Sequence, residues 1–340
     1  MGTSNNNNFV SVIMPAYNAS AFISEAIKSI LNQTYSNFEF IIINDGSTDS
    51  TEKIIRQYND SRIVYIKNES NLGLIESLNK GISIAKGVFI ARMDADDISL
   101  PARLLKQVEA LEFNSGLVAV GSDYFQLVNN RRRLIQNDND SDYQKAMLLF
   151  TPCFCHPVVM MRNVFTEKNL KYKSEYKYAE DYKLWTELAH IGKFANINEP
   201  LLEYRAHSGQ VSTENHQKQL EISERIRREF YESLGLQFTP KEFKSLNLIG
   251  NNVFIRKEEE LLDISNVLMK IRNQNNVLEI FNDSSLDKLL YKFWLDSCGN
   301  ASLGLKAWRI YKSSELSAIC DTGQVQKVKL LAKCLIRSFR

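Results

Sequence analysis

Apolar and polar positions follow one another in a repeating order through the first third of the chain. Phe9 to Met14 (FVSVIM) is an apolar run stopped by Pro15, then comes Ala16-Tyr17-Asn18-Ala19-Ser20, and Phe22, Ile23, Ala26, Ile27, Ile30 and Leu31 fall on one helical face. Phe38 to Ile43 (FEFIII) restarts the cycle, and the loop Asn44 to Asp49 offers Asp49 and Glu52 as a capping pair for the next helix. Arg62 to Ile66 reads as a third strand, Leu74 to Ala85 as a third helix ended by Gly87, and Val88 to Met93 as a fourth strand. Ser99 and Pro101 then open a helix carrying Leu104, Leu105, Val108 and Leu111, and Leu117 to Val120 supplies a fifth strand. This cadence predicts an α/β fold with a Rossmann-like, mostly parallel sheet. Ligands of such sheets bind outside the carboxyl ends of the strands.

From Ser122 the alternation decays into an α+β pattern. Tyr124 to Val128 and Arg133 to Gln136 flank Asn129-Asn130 like a hairpin, Pro157 to Met161 reads as a strand, Asp181 to Ile191 as a helix, and Leu201 to Tyr204 as a strand entering Arg205-Ala206-His207. Beyond about residue 215 the pattern is helical to the end. The expected layout is a polar tail over 1–8, a catalytic domain over 9–215, and a C-terminal helical appendage over 216–340. Within the catalytic domain, 9–121 would hold the nucleotide and 122–215 the acceptor.

Composition narrows the classes. The 340 residues are 44% hydrophobic, as in ordinary globular proteins, and the net charge of +2 gives no chain-wide basic field for nucleic acid. Five irregularly spaced cysteines are no disulfide framework and point to a reducing cytoplasm. Cys153-Phe154-Cys155-His156 lacks the second half of a zinc site, so structural roles are expected there, for His156 as well. No window approaches the roughly 18 apolar residues of a membrane span. Met1 to Asn8 carries no signal pattern, and Asn6 stands where a myristoylation motif wants Ser or Thr. Gln326 to Arg340 holds Lys327, Lys329, Lys333, Arg337 and Arg340 with no acid, interleaved with Leu330, Leu331, Leu335, Ile336 and Phe339. Such a helix either lies on anionic lipid or packs its apolar side on the appendage, and both readings stand.

The chemistry concentrates at Arg92-Met93-Asp94-Ala95-Asp96-Asp97, where a buried strand ends in carboxylates. Carboxylates so close repel one another unless a cation compensates them, and Mg²⁺ and Mn²⁺ prefer oxygen ligands. No Gly-x-Gly-x-x-Gly follows a strand and no Gly-x-x-x-x-Gly-Lys-Ser/Thr occurs, so dinucleotide and P-loop cradles are missing. A divalent ion bridging two phosphates suits Asp94 and Asp96 instead; the plain alternative is a solvated turn and helix cap.

Val12-Ile13-Met14-Pro15-Ala16-Tyr17-Asn18, Ile43 to Asp49, Met93 to Asp97 with Pro101 behind it, Tyr178 to Trp185, and Leu202 to Ser212 stand in order along the chain. Together they resemble the family 2 glycosyltransferases of the GT-A fold, over about residues 9 to 212. The resemblance implies an inverting, Mn²⁺- or Mg²⁺-dependent enzyme moving a sugar from a nucleotide donor to a hydroxyl of a glycan or lipid-diphosphate saccharide. The donor would be UDP-Gal, UDP-Glc or UDP-GlcNAc/GalNAc. It places Pro15 and Tyr17 at the nucleotide, Asp45 on the base, Asp94 near ribose and metal, and Asp96 as principal metal ligand. Asp49 and Asp97 would only cap helices. Asp181 would be the catalytic base, and His207 would touch the diphosphate or metal. Family members with this layout often build O-antigen, capsule or lipooligosaccharide at the cytoplasmic membrane face.

Elementary chemistry agrees with those roles. A carboxylate that takes the acceptor proton on the face opposite the leaving group gives inversion. Asp181 at a helix N-terminus would have its pKa lowered by the dipole, or be no more than an acidic cap. The alternatives are a sugar-1-phosphate nucleotidyltransferase, which wants a Gly-rich loop after the first strand, and a non-catalytic sugar-nucleotide-binding protein.

Overall fold

The computed structural model describes residues 8–128, 131–206, 215–319 and 324–338. The chain divides into two compact units, residues 1–141 with 153–222, and residues 142–152 with 223–340. Residues 142–152 therefore interrupt the stretch read above as one domain.

The first unit is built on one sheet. Strands β1 (Val10–Ala16), β2 (Phe38–Asn44), β3 (Ile63–Lys67) and β4 (Phe89–Arg92) pair in parallel in the order β3-β2-β1-β4. β2 and β4 are buried at every position, the signature of a sheet covered on both faces. Helices α1 (Ile23–Leu31), α2 (Thr51–Ile55) and α3 (Leu74–Ile84) make the crossovers, and α1 buries Ile23, Ala26, Ile27 and Ile30. β1 runs on through Pro15, which pairs with Ile43 on β2. This is tolerated because the β4 ladder stops at Ile13 and Arg92, so β1 has one partner there and needs no N–H on its other side.

Past β4 come β5 (Ile98–Ser99), α4 (Arg103–Phe113), the long β6 (Leu117–Val128), and β7 (Arg131–Ile135). β8 (Met160–Arg162), α6 (Glu180–Leu188) and β9 (Lys193–Arg205) follow. The sheet continues β4-β8-β6-β9-β5, with β7 on β6. β8 is antiparallel to both β4 and β6, so β4, β6 and β9 end at the same edge. The strand expected over Pro157 to Met161 begins only at Met160, because His156 to Val158 form a single 3-10 turn. Pro157 lacks the N–H a ladder needs and fixes φ for such a turn. β9 is thirteen residues long where only Leu201 to Tyr204 was expected, because it pairs with β6 along most of its length across register shifts in the ladder.

The second unit is helical. α5 (Ser141–Met147) leads into it, and α7 (His216–Ser233), α8 (Pro240–Gly250), α9 (Glu258–Leu278), α10 (Asp283–Asn300), α11 (Leu305–Ser313), α12 (Leu316–Ile319) and α13 (Gln324–Ser338) follow. Arg227 explains why residues 142–152 belong here. It is 1% exposed, and its guanidinium donates to the Phe150 carbonyl at 3.2 Å and to the side-chain oxygens of Asn247 and Asn251 at 3.0 and 2.6 Å. A buried guanidinium must fill its donors, and this one does so with three partners. α8 starts with a capping box, Thr239 with Glu242, followed by Pro240. α13 buries Leu330 and Cys334 and leaves Val325, Val328 and Ile336 exposed. Among the described residues no helix is long and apolar enough to cross a membrane.

Candidate active site

β4 ends at Arg92 and delivers Asp94, Asp96 and Asp97 to the common strand edge. One oxygen from each of the three lies within 4.8 Å of the other two. β5 pairs with β9, Ile98 opposite Glu203, and this brings the Arg205 backbone to Asp97. Asp97 is fully buried; its Oδ1 accepts the Arg205 N–H at 2.9 Å, and its Oδ2 has no partner. Burial first, and then the Asp94 and Asp96 charges, push its pKa well above the usual carboxylate range. The expectation that Asp97 merely starts a helix is corrected: α4 begins at Arg103 with Ala102 as its cap, and Asp97 is tied to a strand instead.

Asp94 forms an ion pair with Arg92, which is 4% exposed. Burial raises the Asp94 pKa, Arg92 opposes that, and Asp96 adds to it. Behind them Arg103, fully buried, donates to the Arg92 carbonyl at 2.6 Å and to Gln107 at 3.2 Å. Burial and the nearby Arg92 charge bring its pKa down to about 9. Three carboxylates, one of them carrying an orphaned buried oxygen, suit an oxygen-seeking divalent cation such as Mn²⁺ or Mg²⁺.

The loops after β1 and β2 are clamped together beside this mouth. Asn18, at φ 47°, donates its N–H to Ser47 Oγ at 3.0 Å and accepts from the Thr48 N–H at 2.9 Å. Ala19 N–H donates to Thr51 Oγ1 at 2.8 Å, and Ser20 N–H to Asp49 at 3.0 Å. Asp49 also accepts from Thr51 N–H at 2.9 Å; the N-cap position of α2 is Ser50, so Asp49 stands one residue ahead of the expected cap, takes up the first N–H of the helix and pins the first loop. Glu52 does not complete a capping pair; it turns to Arg56 and Lys67. The clamp leaves Tyr17 49% exposed at the edge, next to the half-buried Pro15.

Asp45 is 3% exposed. It accepts from Asn68 at 2.8 Å, Leu72 N–H at 2.9 Å and Gly73 N–H at 2.8 Å, so its carboxylate shapes the loop into α3. Gly46 is required there: at φ 69° it faces Ser70 so closely that a Cβ would lie 2.5 Å from the Ser70 carbonyl carbon.

Asp181 lies in the first turn of α6 and accepts the Tyr182 N–H at 2.7 Å. Its pKa is raised, not lowered as the helix position suggests, because burial outweighs the backbone hydrogen bond and the Arg92 charge. Asp94 also acts on it, so Asp181 and the carboxylate cluster share one electrostatic environment. Its neighbour Glu180, 8% exposed, is pushed up to about 7 by burial and by Asp181. Glu180 accepts the N–H of Tyr178, which holds a left-handed φ of 82°.

His156 is hydrogen-bonded to the Tyr172 hydroxyl at 2.7 Å and stands edge-on to Trp185. Burial holds it neutral. Among the described residues the Asp cluster is the sole group of three or more candidate metal ligands, and Cys153, Cys155 and His156 are not in it. His207 lies outside the described residues.

Sequence reasoning gave no role to Arg92, although it heads the acidic stretch, nor to Asn18, Thr51 or the Arg205 backbone. Only Arg92 carried a signal, a basic residue at the end of a buried strand just ahead of three acids. The others act through backbone or across long sequence separations.

A sequence profile of glycosyl transferase family 2 matches residues 11–170. An uncharacterized glycosyltransferase of Haemophilus influenzae is 38% identical over 274 residues, 76% of this chain and 80% of that protein. A UDP-Glc:alpha-D-GlcNAc-diphosphoundecaprenol beta-1,3-glucosyltransferase of Escherichia coli is 34% identical over 204 residues, 60% of this chain and 79% of that one. The crystal structure of S. aureus TarS 1-349 in complex with UDP-GlcNAc matches with a TM-score of 0.57 at 16% identity, covering 98% of this chain and 91% of that one, a likeness of GT-A-type fold. The profile and the extent of the Haemophilus match identify the chain as a glycosyltransferase, a member of glycosyl transferase family 2.

Proposed function

We propose that the enzyme is an inverting, metal-dependent transferase that moves a hexosyl group from a uridine diphosphate sugar to a hydroxyl of a lipid-diphosphate saccharide. The support is the meeting of Asp94, Asp96 and Asp97, with the buried, unpartnered Asp97 Oδ2, in the same environment as Asp181. Asp94 and Asp96 would hold Mn²⁺ or Mg²⁺, with Asp97 behind them and His207 as a further candidate. Such an ion supplies Lewis-acid stabilisation for the charge that builds on the departing diphosphate.

The chain's own residues do the rest. Tyr17 offers an exposed ring to the nucleotide base beside Pro15, and Asp45 fixes the loop against which the base rests. Arg92 holds Asp94 in place. Asp181 takes the acceptor hydroxyl proton as that oxygen attacks the anomeric carbon, and a single displacement inverts it. A raised pKa makes Asp181 a stronger base.

The acceptor class is proposed from the Escherichia coli relative, whose name specifies a diphosphoundecaprenol-linked GlcNAc. A cytoplasmic enzyme working against the inner membrane face would fit α13, which exposes Val325, Val328 and Ile336 among lysines. The test is release of uridine diphosphate from a panel of uridine diphosphate sugars with Mn²⁺ and a synthetic GlcNAc-diphosphate lipid, followed by NMR of the new linkage. A β-linked product from an α-linked donor is expected; an α-linked product overturns the mechanism.

A further inference from the structure

β6 carries an extension at the catalytic edge. Its last residues pair with β7 as a hairpin in which Gln126 faces Arg133, Val128 faces Arg131, and Tyr124 faces Ile135. Residues directly opposite in an antiparallel pair share a face, so Tyr124, Gln126, Arg131 and Arg133 stand together. Arg132 points to the other face, where it pairs with Glu203 and lies over the Phe125 ring. Arg131 and Arg133 are exposed, and neither has an ion-pair partner among the described residues.

That face continues into the acid mouth. Tyr204 of β9 stands opposite Gln126 and edge-on to Tyr124, ring centres 6.2 Å apart. The next residue, Arg205, donates its N–H to Asp97 at 2.9 Å, so Tyr204 borders the carboxylate cluster, and burial first, then the Cys155 thiol and Asp94, Asp97 and Asp96, push its hydroxyl pKa up. Arg133 in turn acts on the Tyr124 hydroxyl. β8 lies between β6 and β4 and pairs with β6 at Ala119 and Val120; β7 pairs with β6 from Tyr124 onward on that same edge, the other edge being taken by β9, so the hairpin continues past the end of β8 on the side toward β4.

Charges on an edge strand serve to keep it from pairing with other chains, and any charged residue would do that. They need not be two guanidinium groups on the face that borders the site. An anionic acceptor approaching this edge meets the carboxyl cluster of Asp94, Asp96 and Asp97. The planar fork of Arg suits phosphate oxygens, which it binds through paired charge-assisted hydrogen bonds.

We infer that Arg131 and Arg133 are a binding site for the diphosphate of the acceptor, holding it while the saccharide reaches toward Asp181. The inference rests on the transferase proposed above. It takes the phosphate of the acceptor, and neither the donor diphosphate nor a bilayer headgroup, as the ligand.

The probe is octyl diphosphate, titrated calorimetrically into the full chain with Mn²⁺ and uridine diphosphate present, so that no turnover is needed. Wild type should bind it, and the Arg131→Ala/Arg133→Ala double variant should bind it about 10- to 100-fold more weakly. Arg132→Ala should leave that affinity unchanged, and Arg131→Lys/Arg133→Lys should retain part of it. Uridine diphosphate affinity should be the same in every variant, which also reports intact folding. No binding by wild type, or equal binding by the double variant, overturns the inference. An equal loss of uridine diphosphate affinity would place the arginines at the donor and overturn it too. So would a double variant that loses binding only to phosphatidylglycerol vesicles, since a bilayer contact would then be the source. Failure of the transferase proposal shows separately, as wild type that releases no uridine diphosphate from any donor.

Discussion

Asp97 accepts the Arg205 N–H through Oδ1 at 2.9 Å while its Oδ2 lies buried without a partner. One oxygen thus fastens the acid mouth to β9, and the other faces no hydrogen-bond partner. Asp97→Asn keeps an acceptor for Arg205 and removes a charge repelled by Asp94 and Asp96. Denaturant titration without metal should find this variant at least as stable as wild type. Its Mn²⁺ affinity, measured by calorimetry, should fall about 10- to 100-fold. Asp97→Ala should lose the same affinity and also about 1–3 kcal/mol of stability, because the Arg205 N–H loses its acceptor.

Glu180 makes a prediction about pH. Its pKa rises from an ordinary 4.5 to about 7 in the fold, chiefly through burial. Between those values the folded protein binds more protons than the unfolded chain, so this contribution is full below 4.5 and is lost as pH rises through about 7. Urea unfolding across that range should show wild type losing stability relative to Glu180→Gln, by on the order of 3 kcal/mol in total. A constant difference between the two would contradict the assignment.

The clamp between the first two loops is testable through Asp49, which joins Ser20 to Thr51. Burial raises its pKa, but the hydrogen bonds from Thr51 and Ser20 outweigh this and bring it to about 2. Its contribution is therefore present above 3.8 and lost as pH falls through about 2. Asp49→Ala should weaken uridine diphosphate binding about tenfold by freeing Tyr17, with Mn²⁺ binding in the absence of nucleotide unaffected.

The parallel half of the fold was legible because its strands are buried on both faces: runs such as FEFIII admit few other readings. Asp94 and Asp96 were legible for a related reason, as acids where such a run stops. The meaning of Asp97 was not, because its partner Arg205 lies 108 residues away and contributes only backbone. The Asp181 environment was hidden similarly. A helix N-terminus can be read from sequence, but the burial that outweighs it cannot. β9 was underestimated because Asn196, Asn198 and Glu199 interrupt its apolar pattern, although β6 pairs with most of its length. The grouping of residues 142–152 with the helical unit depends on Arg227, whose acceptors are 20, 24 and 77 positions away.

Membrane contact through α13 is a separate matter. Sedimentation with vesicles should detect binding to phosphatidylglycerol but not to phosphatidylcholine alone, weakened by salt and by Lys327→Glu/Lys329→Glu. Equal binding to both lipids would rule out the electrostatic part.

Asp181→Asn addresses the chemistry most directly. Single-turnover transfer from a uridine diphosphate sugar, with donor affinity measured alongside, should show the rate down about 10²- to 10⁴-fold while the donor still binds as in wild type. Transfer at the wild-type rate would contradict Asp181 as the base.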